Sequence, residues 1–568
     1  MHLTPWLIGA TLLVVVGLLA AWSQDRRQKQ LKALRAAWGR PCPVAPLDDD
    51  RVREAWELCR NVADAEREID ARTWDDLDLD RLFSTIDHTH TALGQQQLYR
   101  RLRAGTTWDA TPDMEALTTR FTSEPPFREE VALRLRGLGR SIGYDFWIIT
   151  RPEMLVVHWW YLIFPLLALV MVAAIISVAF NPQMILLVAA LMIVNLVVRA
   201  VTYRYLPGLL APMRQLGPLI GAAEALSGVT GQRGEKMHGD EIRQLQPLKR
   251  IAALVASDVG MDNELVAGFR EYLNISFLLD ANTLVFCVRR LRTLGPVLAR
   301  VAQWVGDVDV ALSVASLRAE ARPWSVPAPG DGPTRVVAAW HPEIAEPVAN
   351  DVELVPGRGI IITGANMSGK STYLRTIGIA AVMARTLHTA PAERWQGRHF
   401  RVRSLIGRSD DLAAGKSYYQ VEADGVVELI RDAAGSVPTI YLLDELLRGT
   451  NTVERLAAGE AVLDALLADR DGGNPHVVVV ATHDGELVAM LRERYLPVHF
   501  RETIGPEGLT FDFRRREGPA STRTAIALLE ATGAPASLVA RARRRAEELD
   551  GGPPPPSAAA VRPRETLG

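Results

Sequence analysis

Three long apolar runs stand out from an otherwise polar first half of the chain. Residues 6–22 contain no charged side chain, and as a helix they would be about 26 Å long, just enough to cross a hydrocarbon core. Two further runs, 157–180 and 184–198, are separated only by a turn containing Asn181 and Pro182. The pattern predicts three transmembrane helices, one N-terminal anchor and one hairpin.

Two alternatives to membrane insertion stay open at this stage. The first run has the length of a cleavable signal peptide, although no Lys or Arg precedes it, and the hairpin could be a buried helical pair. Basic residues follow the first run and flank the hairpin, so the positive-inside rule predicts a multi-pass protein of the cytoplasmic membrane with its soluble parts in the cytoplasm. The flanking basic residues are Arg26, Arg27, Lys29, Lys32, Arg35, Arg136, Arg140, Arg151, Arg199 and Arg204.

The polar parts of the chain divide between a helical region and an α/β region. The helical region shows apolar spacing typical of helices, with few turn signals. After a Pro- and Gly-rich connector, strand-like runs alternate with helical ones, which predicts a parallel sheet. The predicted fold is an α/β domain preceded by an all-α core and lever domain. Its segments are an anchor (1–22), a linker (23–46), two helical parts (47–156 and 207–322) around the hairpin (157–206), a connector (323–334), the α/β domain (335–550) and a disordered tail (551–568).

Composition narrows the classes of function. The 568 residues are 48% hydrophobic and 23% charged, with a net charge of -2. The protein is therefore not a polycation, and any contact with nucleic acid has to come from a local basic patch. The three cysteines are far apart, so we expect reduced thiols rather than disulfides or a zinc site.

A glycine-rich segment predicts a nucleotide site. The strand-like run 359–363 leads into residues 364–372, Gly-Ala-Asn-Met-Ser-Gly-Lys-Ser-Thr, which fit G-x-x-x-x-G-K-[ST]. In this motif backbone N–H groups surround phosphate oxygens, the lysine contacts the β- and γ-phosphates, and the hydroxyl reaches Mg²⁺. We therefore predict that ATP and Mg²⁺ are the cofactors. The predicted binding residues are Gly364, Asn366, Met367, Ser368, Gly369, Lys370, Ser371 and Thr372.

Two later strands end in residues suited to hydrolysis. The apolar run 439–443 ends in Asp444 and Glu445. An acid at a strand end can hold the Mg²⁺ shell, which suits Asp444, and a second carboxylate can orient or deprotonate water, which suits Glu445. The run 477–481 ends before His483, which is placed to sense the γ-phosphate or position water. The predicted catalytic residues are Glu445, Lys370 and His483, and the predicted metal ligands are Ser371 and Asp444.

The motifs together resemble those of the MutS family of ATPases. Asn366 and Met367 precede Gly-Lys-Ser-Thr, Arg-Gly-Thr follows the acidic pair at 448–450, and Ala-Thr-His occurs at 481–483. Residues 410–422 resemble the family's signature of paired Asp, Gly, Ser, an aromatic residue and Glu. The resemblance covers residues 335–550 and implies a homodimer in which Ser417 reaches the partner's nucleotide as a further catalytic residue. It also implies that a C-terminal helix-turn-helix, 522–549, clasps the dimer.

A weaker resemblance covers residues 77–103, which are similar to the start of the family's core domain. That domain leads into lever helices and a clamp that grips duplex DNA, whereas here the apolar hairpin occupies the lever ends. The family's N-terminal mismatch-recognition and connector domains have no counterpart. Ala365 stands where the family has Pro, and Leu446 and Leu447 replace Ile-Gly.

Two functional hypotheses follow. The first is a membrane-anchored MutS-like ATPase that binds branched or mismatched duplex DNA as a dimer. The second is a conformational switch or remodelling ATPase of the membrane without a nucleic-acid ligand. The basic C-terminal residues Arg541, Arg543, Arg544 and Arg545 fit a DNA contact, but a solvated charged helix face is the simpler interpretation.

Overall fold

The protein is described by a computed structural model. It covers residues 4–41, 49–60, 68–105, 114–139, 144–155, 159–205, 207–230, 232–252, 264–365, 367–407, 418–468, 473–505, 508–520, 526, 529–530 and 533–551. The chain forms two compact units. The first comprises residues 1–330, 342–345 and 379–401, and the second comprises residues 331–341, 346–378 and 402–568.

The first unit is helical. Its described helices are α1 (Thr4–Ala37), α2 (Asp49–Cys59), α3 (Ala71–Asp76), α4 (Leu79–Ile86), α5 (Ala92–Ala104), α6 (Met114–Ser123), α7 (Pro125–Arg136), α8 (Ile163–Val178), α9 (Ile185–Tyr205), α10 (Pro207–Thr230), α11 (Gln232–Ala252), α12 (Glu264–Phe277) and α13 (Leu279–Arg318). Short 3₁₀ helices cover Tyr144–Thr150, Pro152–Met154, Trp159–Leu162 and Pro182–Met184.

Helix α13 organises this unit. It is 40 residues long and packs against α5, α6, α10 and α11. Near its C-terminal part, the fully buried Asp309 accepts hydrogen bonds from the backbone nitrogens of His90 and Thr91 and from the Thr91 hydroxyl. Thr91 is also the N-cap of α5, where its hydroxyl accepts from the nitrogen of Gly94. One buried carboxylate thus fixes the start of α5 against α13.

The C-terminal end of α13 is also tied to the segment that follows helix α14 (Lys370–Leu387). Arg318 donates to both carboxylate oxygens of Glu115, at 2.6 and 3.0 Å, and to the carbonyl oxygen of His388 at 2.8 Å. The His388 ring lies 3.3 Å from the same carboxylate. These three residues, here called the Arg318 cluster, belong to the first unit.

Helices α8 and α9 form the apolar hairpin. Within the described residues, two stretches are long and apolar enough to cross a membrane, judged by length and composition: Trp159–Val178 and Pro182–Val201. Most of their side chains are exposed, with Leu169 exposed by 67% and Leu186 by 73%, whereas a few, such as Met171 and Asn195, are buried. Such a surface is unfavourable in water and suits an apolar environment. Two of the three predicted spans thus have matching helices.

The third predicted span lies in α1. The structure describes no side chains for residues 4–16, so a transmembrane anchor there stays a prediction. Helix α1 does not end at residue 22 but continues to Ala37. The predicted linker is therefore helical up to residue 37. Its sequence explains this, because residues 24–37 contain many good helix formers and no Gly or Pro.

The second unit is an α/β fold. Its strands are β1 (Thr334–Ala339), β2 (Asn350–Leu354), β3 (Gly359–Thr363), β5 (Arg401–Leu405), β6 (Thr439–Asp444), β7 (Val477–Ala481), β8 (Tyr495–Gly505) and β9 (Gly508–Glu517), while β4 (Arg394–Gln396) belongs to the first unit. Its helices are the start of α14 (Lys370–Leu387), α15 (Tyr418–Asp432), α16 (Thr452–Leu466), α17 (Gly485–Leu491) and α18 (Ala536–Gly551).

The main sheet has six strands in the order β5-β6-β7-β3-β8-β9. Strand β3 is parallel to β7 and β8, and β6 is parallel to β7, whereas β9 returns antiparallel to β8. The prediction of an α/β domain after a helical region is confirmed, with a mixed rather than a purely parallel sheet. Strands β3 and β7 are buried at every position, as expected for the middle of such a sheet.

The predicted segment bounds stay predictions, and the two units divide the chain at other places. Residues 342–345 and 379–401, which we assigned to the α/β domain, belong to the first unit. Of the predicted C-terminal helix-turn-helix, α18 is described, but most of residues 522–531 lie outside the described residues, so the dimer-clasping element stays a prediction.

Candidate nucleotide site

The predicted P-loop connects β3 to α14. Strand β3 ends at Thr363 and α14 begins at Lys370, so the loop brings the helix N-terminus, with its unpaired N–H groups, beside the strand end. Gly364 has φ +140°, and a Cβ there would lie 2.7 Å from the carbonyl oxygen of Phe500. The loop can therefore pass β8 only with glycine at this position.

The ammonium group of Lys370 lies over the loop. Its Nζ donates hydrogen bonds to the carbonyl oxygens of Gly364 and Ala365, at 2.9 Å each, and lies 3.1 Å from Nε2 of His483. The residue is only 5% exposed. A cation held in this position is suited to phosphate oxygens that the loop would surround.

Ser371 and Asp444 come together as the sequence predicts. The Ser371 hydroxyl donates to Oδ2 of Asp444 at 2.6 Å, from the first turn of α14 to the end of β6. Mg²⁺ in nucleotide sites takes one or two protein oxygens and completes its shell with water and phosphate. Among the described residues no cluster of three or more His, Cys, Asp or Glu could hold a metal ion. This oxygen pair fits an ion shared with a phosphate ligand.

Glu445 is held in an unusual backbone conformation. Its φ is +57°, its nitrogen donates to the carbonyl oxygen of Ala481 at 2.9 Å, and the residue is 8% exposed. Oε1 lies 2.9 Å from Nε2 of His483, and Oε2 contacts the guanidinium of Arg448. A positive φ at a non-glycine residue persists only where the surroundings enforce it.

His483 lies between Lys370 and Glu445. Burial, together with the nearby charges of Lys370 and Arg448, lowers the pKa of His483 below its ordinary value, so the imidazole is neutral at pH 7. A neutral ring has one proton for two nitrogens. Nε2 therefore donates to Glu445 or accepts from Lys370, but not both at once.

A cavity opens beside Glu445. It has a volume of about 290 Å³ and is lined by Glu445, Arg448, Arg455, His483 and neighbouring residues. Arg455 makes a two-pronged ion pair with Asp484, at 2.8 and 3.0 Å, which fixes the start of α16 against the turn after β7. The cavity leaves room for water beside the Glu445 carboxylate.

Two residues in this site were missed by sequence reasoning. The buried Glu422, on α15, accepts a hydrogen bond from the nitrogen of Leu447 at 2.6 Å. Arg448 pairs with Glu445. Glu422 ends the predicted signature 410–422, and Arg448 begins the Arg-Gly-Thr motif. Neither motif predicts which side chain contacts Glu445 or the turn that follows it.

Other predicted residues are only partly placed. Met367 has φ +69° and is 85% exposed, Ser368 is buried beneath the loop, and Thr372 is exposed on α14. Asn366 and Ser417 lie outside the described residues, as do residues 410–417 of the predicted signature 410–422. Their predicted contacts with nucleotide stay predictions.

Comparison with known proteins gives a consistent match. Residues 360–550 match the family model for MutS domain V. The chain is 33% identical over 251 residues to DNA mismatch repair protein MutS 2 of Halobacterium salinarum, an alignment that covers 43% of this chain and 28% of the relative. It is 35% identical over 213 residues to DNA mismatch repair protein MutS of Thermus aquaticus, covering 37% of this chain and 25% of the relative.

A third relative, DNA mismatch repair protein MutS of Thermus caldophilus, is 32% identical over 258 residues, covering 45% of this chain and 30% of the relative. The chain thus spans less than a third of the length of each of these three relatives.

Proposed function

This chain belongs to the MutS family through its domain V, and on that premise we propose that it is a membrane-anchored, Mg²⁺-dependent ATPase that works as a homodimer. One observation carries the proposal: Lys370, the Ser371–Asp444 pair and Glu445 with His483 converge at the ends of three neighbouring strands, β3, β6 and β7. In α/β sheets, ligands bind beside the carboxyl ends of parallel strands such as these.

The residues divide the chemistry between them. The loop from Gly364 to Lys370 would hold the phosphates, and the Ser371 and Asp444 oxygens would hold Mg²⁺, which neutralises charge developing on the phosphate oxygens. Glu445 orients the attacking water and accepts its proton as the new P–O bond forms and the bond to ADP breaks. Nε2 of the neutral His483 lies 2.9 Å from Oε1 of Glu445. This contact limits rotation of the Glu445 carboxylate.

Glu445→Gln tests the hydrolytic step. Gln keeps the shape of the side chain but cannot accept a proton, so ATP binding should persist while turnover falls by about 100-fold or more. The exposed Glu493, changed to Gln, is the matched control. Unaltered turnover in Glu445→Gln would remove this residue from its proposed role, and failure of the wild-type chain to retain ATP with Mg²⁺ would overturn the proposed function itself.

The homodimer is proposed because the family resemblance places Ser417 at the partner's nucleotide. Mixing two inactive variants tests this directly. Lys370→Ala removes the P-loop lysine, and Ser417→Ala removes the signature serine. A mixed dimer combines an intact Lys370 in one subunit with an intact Ser417 in the other. It would therefore regain one complete site only if Ser417 acts on the partner's nucleotide. Restored turnover, below the wild-type rate because a mixed dimer has one complete site of its two, supports the proposal. Two inactive variants that stay inactive together contradict it.

The ligand that we propose first is DNA, as branched or mismatched duplex. The curated relatives carry the name DNA mismatch repair protein, and a basic helix, α18, presents exposed arginines. Full-length protein in detergent should bind such DNA with an affinity that falls steeply as salt rises, because phosphate contacts release counterions. Absence of binding at low salt would favour the second candidate below.

The second candidate is a membrane conformational switch, and a specific observation favours it. Helix α12, which precedes α13, packs against both helices of the hairpin, and the buried Asn195 donates to the carbonyl oxygen of Ser276 at 2.7 Å. Movement of α13 would reach the hairpin through this joint. Both candidates require the membrane, so recovery of the whole protein in the soluble fraction without detergent would contradict both.

A further inference from the structure

A second cavity, separate from the candidate nucleotide site, lies within the first unit. It forms where the C-terminal end of α1 meets α7 and α13, and its volume is about 530 Å³. Small-ligand sites commonly have volumes of about 300–1,000 Å³. Leu34, Ala132 and Leu312 give it an apolar floor of buried residues. The size and floor suit an organic molecule rather than a bare ion.

The rim of this cavity carries excess positive charge. Arg35, Arg40, Arg128 and Arg136 line it together with two carboxylates, Asp87 and Glu129. The two acids are already engaged elsewhere. Glu129 accepts two hydrogen bonds from Arg35, at 2.7 and 2.8 Å, and both oxygens of Asp87 accept from neighbouring Thr and Gln side chains.

Three guanidinium groups at this rim, those of Arg40, Arg128 and Arg136, make no ion pair with a carboxylate among the described residues. Arg40 and Arg136 are exposed, and in the described part of the chain neither has an acidic side chain within ion-pair distance. Among the described residues, the Arg128 guanidinium donates only to the carbonyl oxygen of Phe121, at 3.4 Å. Burial lowers the pKa of Arg128, and the charge of Glu129, which Arg35 already binds, only partly offsets this. Like charges that converge on one cavity repel each other, and a multiply charged anion would relieve this repulsion.

An aromatic surface lies among these cations. The guanidinium carbon of Arg128 is 3.9 Å from the centre of the Trp38 ring. Stacked tryptophan and arginine planes are a common platform for nucleobases. The cavity thus combines the two features that recognise a nucleotide, a planar stacking surface and separate guanidinium groups for phosphates.

We propose that this cavity binds a free nucleotide carrying at least two phosphates. Arg40 and Arg136 contact the phosphates, and the base lies against Trp38 and Arg128. A lipid phosphate is the other source of this chemistry, but Arg35 is 13 residues beyond Trp22, about 20 Å along α1 from the end of the apolar run. That distance puts the cavity beyond the headgroups if α1 crosses the membrane. Occupancy would join α1 to α13 through one ligand.

Titration with radiolabelled ADP tests the proposal. The protein is the full chain in detergent with Lys370→Ala, so that the result does not depend on whether the P-loop binds or hydrolyses ATP. We expect saturable binding of one ADP per chain. Adding Arg40→Ala and Arg136→Ala should weaken it at least about tenfold, the effect of losing two charge-assisted hydrogen bonds.

The matched control changes Arg289 and Arg290 to Ala on the exposed face of α13, removing the same charge elsewhere, and should leave ADP binding unchanged. A second variant, Arg40→Lys with Arg136→Lys, keeps the charge and should recover part of the affinity. Thermal melting of every variant checks folding. Azido-ADP crosslinking should label the peptide that contains Trp38.

Three results would overturn the proposal. One is the absence of saturable ADP binding up to about 1 mM, which would mean a binding free energy weaker than about 4 kcal/mol. Another is equal affinity in the Arg40 and Arg136 double variant and the Arg289 and Arg290 control. The third is binding to phosphatidylglycerol vesicles that depends on Arg40 and Arg136 while ADP fails to compete, which would assign the cavity to lipid.

Discussion

Oε1 of Glu422 lies 2.6 Å from the backbone nitrogen of Leu447 and accepts its hydrogen bond inside the protein. Leu447 follows Glu445 by two residues, and both have left-handed backbones, with φ of +55° and +57°. Such a turn is costly for residues with side chains, so this hydrogen bond helps to hold it. The signature helix α15 and the proposed catalytic carboxylate are thereby linked within one chain.

Glu422→Ala should therefore slow ATP turnover. The change leaves the Leu447 N–H buried without its acceptor, at a cost of about 1–3 kcal/mol, and lets the Glu445 side chain move from its position. We expect kcat to fall about tenfold or more while the Kd for ATP changes little, because the hydrogen bond that is lost holds the turn after Glu445. Single-turnover kinetics and nucleotide titration separate the two effects.

Two variants make the Glu422 result specific. Glu422→Gln retains an acceptor oxygen and should recover part of the rate. Glu428→Ala removes an exposed acid from the same helix and should leave kcat unchanged. Equal loss of rate in Glu422→Ala and Glu428→Ala would mean that the Leu447 bond does not position Glu445.

Ser371→Ala should raise the Mg²⁺ requirement. The change removes one of the two oxygens that lie 2.6 Å apart in the predicted metal site. Loss of a residue that only supports a metal ligand already weakens metal binding by roughly 10–100-fold, so loss of a ligand should weaken it at least as much. The Mg²⁺ concentration for half-maximal turnover should rise accordingly, with activity recovering at high Mg²⁺. Ser436→Ala, at an exposed position before β6, is the control. An unchanged Mg²⁺ curve would exclude Ser371 as a ligand.

Arg448→Ala should change the pH dependence of turnover. Burial, Lys370 and Arg448 together lower the pKa of His483, so removal of the arginine raises that pKa towards its ordinary value. If turnover needs the neutral imidazole, the acidic limb of the kcat profile moves to higher pH. Arg448→Lys keeps the charge and should keep the limb in place. A profile that is lowered uniformly, without a shift, would contradict this role for the His483 charge.

The Arg318 cluster should make stability depend on pH in two directions. Burial opposes the charge of Glu115, but hydrogen bonds from His388 and Arg318 outweigh it and lower its pKa from 4.5 to about 2. This contribution is present above pH 4.5 and is lost as pH falls towards 2. The bond to Glu115 raises the pKa of His388 above 6.5, so its contribution is present below 6.5 and is lost as pH rises through the higher value.

Stabilisation by the cluster should thus be greatest between about pH 4.5 and 6.5. Thermal melting across pH, comparing the wild type with Glu115→Gln, measures it. The difference in melting temperature between the two proteins should shrink on both sides of this window. A difference that is constant from pH 3 to 8, to within about 1 °C, would show that these ionisations do not contribute.

The sequence predicts those parts of the candidate site whose residues lie close together along the chain. The P-loop needs Gly364 and Gly369 at fixed positions around a strand-to-helix turn, so the motif itself locates Lys370 and Ser371. Asp444 is predictable because it ends an apolar strand. Each of these follows from neighbours along the chain.

Contacts between distant segments could not be predicted in the same way. The bond of Glu422 to Leu447 joins residues 25 positions apart, and the clamp of Asp309 on Thr91 joins residues 218 positions apart. A pattern of apolar residues gives the face of a helix but not the partner of each polar group. The continuous helix α1 was likewise missed, because the change from apolar to polar residues near Trp22 indicated a boundary although the helix itself continues.

The length of helix α13 would convert a small rotation at one end into a large displacement at the other. Forty residues at 1.5 Å each make a rod of about 60 Å, with the Arg318 cluster at one end and α12 beside the other. A tilt of about 5° at the Arg318 end would shift the opposite end by about 5 Å, roughly the pitch of one helical turn. A small change in the segment after α14 would therefore reach the far end of α13 as a displacement of several ångströms.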